Sequence, residues 1–61
     1  MNAFVRTFQV GPHTVTFTIP FTGARAGAIR CEWEPRPRRL SKKRMAEYMA
    51  KRDACLRAFA T

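Results

Sequence analysis

Residues 36–44 carry six cations, Arg36, Arg38, Arg39, Lys42, Lys43 and Arg44, and no carboxylate. Arginine presents a planar fork of donors that fits phosphate oxygens in pairs, and lysine adds a compact mobile charge. The chemistry of such a run is anion binding. Its position sharpens the point. Ser41 reads as a helix N-cap, which puts Lys42, Lys43 and Arg44 in a first helical turn. Free amides there carry positive partial charge, and each cation is disfavoured by about 0.3–1 kcal/mol if exposed. A local rule broken without local compensation marks a place where function is expected. A phosphate at that point would be held by free amides and cations together. The expected ligand is therefore a nucleic-acid backbone, with Arg25 and Arg30 in support.

No other set of residues promises chemistry. His13, Cys31 and Cys55 are the only soft metal ligands, and no CxxC or HxxxH spacing joins them. No metal or cofactor is expected. Both cysteines fall on apolar faces, where burial makes a thiol inert. With no secretory segment before them, they are expected to be reduced thiols in the cytoplasm. Glu32 and Glu34 share one strand face beside Arg30 and read as solvated. Glu47 is expected to pair with Lys51, four residues on. Asp53 lies between Arg52 and Arg57. There is no phosphate-binding loop, and general acid–base work needs a positioned titratable pair that this chain lacks. The chain is not expected to be an enzyme.

The totals agree. Sixty-one residues with twelve Lys/Arg against four Asp/Glu carry a formal charge of +8. Such a field draws polyanions. Nucleic acid, DNA or RNA, comes first. The alternative partner is an acidic protein surface, met by a protein-binding module such as a phage or mobile-element inhibitor or adaptor docking on a host machine. A membrane partner is not expected: no apolar run approaches the roughly 18 residues of a span, and the helix's apolar stripe is needed for the core. A domain this small buries only about 60% of its unfolded surface. Self-association as a homodimer is the remaining aid to its stability.

Alternation with period two places strands over residues 3–10, 13–19 and 28–34. Phe4, Phe8, Val10, Val15, Phe17, Ile19, Ile29, Cys31 and Trp33 take one face, which Arg6 shares. Thr7, Gln9, Thr14, Thr16, Thr18, Arg30, Glu32 and Glu34 take the other. Gly11-Pro12 makes the first turn, Pro20 ends the second strand, and residues 21–27 read as a loop in which Phe21 is exposed. Pro35 and Pro37 hold the basic linker, 35–40, extended. A helix is expected over 41–59, with Met45, Tyr48, Met49, Cys55, Leu56 and Phe59 in one apolar arc. The fold class is α+β: a three-stranded antiparallel meander with one C-terminal helix on one face, β-β-β-α, in two layers and a single domain over 1–61. Arg52 falls inside the apolar arc and must either reach water or meet an acid. Ala46, Ala50, Ala54 and Ala58 line the opposite face.

The stretch GPHTVTF, residues 11–17, and the helix opening SKKRMA, residues 41–46, resemble parts of double-stranded RNA-binding domains. The resemblance covers about residues 3–59 in order and layout. It implies that His13 faces a minor groove while Lys42 and Lys43 meet phosphates. The chain departs from that family in having no counterpart of its first helix, and in having arginine and proline where glycines precede the final helix.

Overall fold

The computed structural model describes residues 2–60. It contains β1 (Asn2–Val10), β2 (His13–Thr22), β3 (Arg25–Ala26), β4 (Arg30–Glu34) and α1 (Lys42–Ala60). All strand pairings are antiparallel, and β2 lies between β1 on one side and β3 with β4 on the other. This is the expected meander, with its third strand broken in two, and α1 packs on one face.

The first hairpin closes on Gly11-Pro12, since Val10 pairs with His13. Gly11 has φ 61°, a conformation glycine adopts without penalty, and a proline following it suits the two-residue turn. The second hairpin turns at Gly23-Ala24, between Thr22 and Arg25.

Pro20 does not end β2. It pairs with Ala3 of β1, and its carbonyl accepts a 2.7 Å bond from the Gly27 amide. A strand residue aims its N–H and C=O to the same side, so the donor that Pro20 lacks would have faced the third strand. That is where pairing stops: the ladder runs through Thr18–Arg30 and resumes only at Phe21–Ala26. Residues 27–29 bulge across the gap. A β-carbon on Gly27 would sit 2.9 Å from Pro20 Cγ, so the close approach requires glycine. The predicted loop at 21–27 is thus the end of β2, a tight turn and β3.

Val10, Val15, Phe17, Ile19 and Cys55 form the core, each no more than 2% exposed. Phe4, Phe8, Ile29, Trp33, Tyr48, Leu56 and Phe59 pack around it. Phe21 is half-buried and meets Phe59, with ring centroids 5.8 Å apart; the expected exposure of Phe21 is corrected.

The helix meets the sheet through four of the six residues of the predicted arc. Tyr48, Cys55, Leu56 and Phe59 pack inward, whereas Met45 and Met49 are 45% and 51% exposed. The backbone of α1 runs closest to β1, and Met45 lines an open hollow with Cys31 and Trp33 of β4. Cys31 is exposed, against the expectation that it is buried. Arg52 is half-buried with no ion-pair partner among the described residues, the arrangement of a stem on the core and a head near water. Among the described residues no helix is long and apolar enough to cross a membrane.

The two thiols differ accordingly. Burial pushes the Cys55 thiol up, with Arg6 pulling the other way. Tyr48 is also raised, first by the hydrogen bond its hydroxyl donates to Cys31 Sγ, then by burial and the Cys31 charge, with Arg52 opposing. Both groups lose a proton more easily in the unfolded chain. Their stabilising effect is therefore full below the unfolded values, about 8.5 for thiol and 10 for tyrosine, and is lost as pH rises through the folded ones. The urea midpoint should hold near neutral pH and fall above about pH 8.5. In the native protein, iodoacetamide should label Cys31 and spare Cys55, as read by mass spectrometry.

Candidate nucleic-acid interface

The linker between β4 and α1 is fastened at both ends. At its start, the His13 Nδ1–H donates to the Pro35 carbonyl at 2.7 Å, and the His13 ring stands edge-on to Trp33, centroids 6.1 Å apart. One edge of the His13 ring thus holds the start of the linker. At its end, Ser41 caps the helix. Its Oγ accepts from the Arg44 amide at 3.2 Å, and its carbonyl accepts from the Met45 amide at 2.8 Å. Between these anchors Pro37 and Leu40 are half-buried, while Arg36, Arg38 and Arg39 are exposed. The apolar residues turn inward and the guanidinium groups are left outward.

Lys42 and Lys43 occupy the first turn of α1, are exposed, and share that turn with no acidic residue. None of Arg36, Arg38, Arg39, Lys42 and Lys43 has an ion-pair or hydrogen-bond partner for its side chain among the described residues. Their charge is uncompensated by the molecule itself.

Arg44 is different. Its guanidinium pairs with Glu47 at 3.0 Å and lies against Gly11, where a β-carbon would come within 2.6 Å of Nε. The Glu47–Lys51 pair expected from spacing is replaced: Glu47 turns back three residues to Arg44, and Lys51 Nζ rests 5.9 Å from the Phe8 ring centroid. Asp53 is met by Arg57 at 3.2 Å. Arg44 thus braces the helix start against the β1–β2 turn, and only part of its charge faces outward. No sequence signal links residues 11 and 44; the contact exists because the helix crosses the turn.

Arg25 and Arg30 are not brought beside the linker cluster. Arg30 begins β4 and the linker follows its end, so the strand's length, about 13 Å at 3.3 Å per residue, separates them. Both arginines line a separate hollow of ≈ 590 Å³ beside Pro20 and the broken third strand. The open sheet face between the two places carries the rows Gln9–Thr14–Glu34 and Thr7–Thr16–Glu32. It is tied by hydrogen bonds between Gln9 and Thr14, 2.7 Å, and between the hydroxyls of Thr7 and Thr16, 3.2 Å. Glu32 and Glu34 make that face repellent to phosphate.

The chain matches no family model, and neither a curated protein nor a solved structure is similar to it. Among the described residues no three His, Cys, Asp or Glu side chains gather as a metal site would require.

Proposed function

We propose that this protein binds nucleic acid through the phosphate backbone, in an accessory or regulatory role. The contacts are Arg36, Arg38, Arg39, Lys42 and Lys43. Arg44 contributes its remaining outward charge, and Arg25 and Arg30 act at a distance. The observation that carries this reading is the set of five exposed cations without partners on an anchored linker and capped helix start. Holding like charges together is unfavourable unless an anion meets them. A phosphate chain laid along the linker reaches the free amides of α1 as well. Glu32 and Glu34 direct it away from the open sheet face.

The second reading is a protein-binding module that docks on an acidic surface, and the exposed Met45, Met49 and Val5 favour it. The two separate in one assay. Fluorescence anisotropy with labelled single strands, duplex DNA and duplex RNA at low salt should show binding. Absence of binding to all three, with capture of one acidic protein, transfers the function to the second reading.

A further inference from the structure

Beneath the arginines of the linker lies a hollow of ≈ 300 Å³. Trp33, Leu40 and Met45 form its apolar part, and Arg36, Arg38 and Arg39 its charged rim. It lies beside the part of β4 that Tyr48 of α1 covers, between that strand, the linker and Met45. Tyr48 covers one side of the indole, with centroids 5.2 Å apart and planes 30° from parallel. The indole is only half-buried, and the hollow opens onto the remainder. A hollow of this size has room for one planar heterocycle.

We propose that this hollow seats a single unpaired nucleobase, with the flanking phosphates on Arg36, Arg38 and Arg39. The proposal rests on the nucleic-acid reading and adds to it the class of substrate. An apolar hollow with one aromatic wall and three guanidinium groups at its mouth complements a flat, neutral base attached to anions on both sides. Acidic peptides supply the anions without the ring. Base–aromatic stacking tolerates any base identity, because each has a π-face. A base inside a duplex is stacked and paired and cannot enter without being turned out. The preferred ligand is therefore a single strand, loop or bulge over a continuous duplex, with little sequence preference.

Trp33 is the only tryptophan in the chain, so its fluorescence reports the seat directly. Three ligands of equal length are compared at low salt: an oligothymidine strand, the same strand built from abasic units, and polyglutamate. Oligothymidine should quench Trp33 and bind about 5- to 150-fold more tightly than the abasic strand, the range expected for stacking one base. Met45→Glu puts a carboxylate in the hollow at a position already 45% exposed, and should remove the quenching and the preference. Ala46→Glu makes the same charge change on the exposed Ala46 face and should retain both. Equal affinity for the abasic strand without quenching overturns the seat and leaves the backbone reading intact. Polyglutamate binding as tightly as oligothymidine overturns the seat as well. Failure of every strand to bind removes the nucleic-acid reading itself.

Discussion

Reversing Arg38, Arg39, Lys42 and Lys43 to glutamate together is expected to abolish nucleic-acid binding while leaving the fold intact. Each reversal changes the charge by two, so the formal charge falls from +8 to zero. Each phosphate contact contributes a slope of about −0.9 to log affinity against log salt for duplex DNA, and about −0.7 for a single strand. Between 0.1 M and 1 M salt, four contacts therefore account for roughly 10³- to 10⁴-fold in affinity on duplex and somewhat less on single strands. Removing the contacts forfeits that factor, and the introduced carboxylates add repulsion. The fold should not suffer. Glutamate at positions 42 and 43 complements the helix dipole, where lysine opposes it, by about 0.3–1 kcal/mol per position. The variant should melt at or above the wild-type temperature and show no binding by anisotropy. Binding within about threefold of wild type would place the contacts elsewhere, since even one lost phosphate contact costs more at 0.1 M salt.

The second large effect is on stability. Phe17 lies in the central strand, is 0% exposed, and packs against Phe8 and Tyr48 with centroids 5.9 and 5.6 Å away. Phe→Ala in a core costs about 3–5 kcal/mol. A chain of 61 residues has about 3–9 kcal/mol in total, at 0.05–0.15 per residue. Phe17→Ala should therefore unfold much of the population at 25 °C or lower Tm by more than about 12 °C, read by far-UV circular dichroism. Thr16→Ala, one residue away on the open face, should cost about 1 kcal/mol or less, the worth of its hydroxyl contact with Thr7. Comparable losses at both positions would mean that the helix does not cover the Phe17 face.

The layout was legible because alternation is a local property. Val15, Phe17 and Ile19 against Thr14, Thr16 and Thr18 define both faces of β2 without reference to the rest of the chain. Ser41 is equally plain, since a cap acts over three residues. What local pattern could not supply was lateral position. The apolar arc of α1 includes Met45 and Met49, and nothing in its periodicity says that the helix will sit toward β1. In the folded chain both methionines and Cys31 are exposed, Arg44 lies against Gly11, and a hollow opens beside Trp33. Pro20 was misleading for a different reason. Proline removes one donor, and whether that ends a strand depends on what would have accepted it. Here the neighbouring strand bulges at the same level, so β2 continues. Within the candidate site, the cations could be read from sequence, but the loss of Arg44 to Glu47 and the distance to Arg25 and Arg30 could not.

The central claim is that five unpartnered cations at the linker and helix start are held in place to take phosphates. The salt dependence of binding tests it most directly. Affinity for a labelled oligothymidine strand should be measured from low salt upward, for the wild type and for the fourfold glutamate variant. Five contacts predict a slope of log affinity against log salt near −3.5 for a single strand, or near −4.5 for a duplex. A wild-type slope close to zero, or one that the variant shares, would contradict the account.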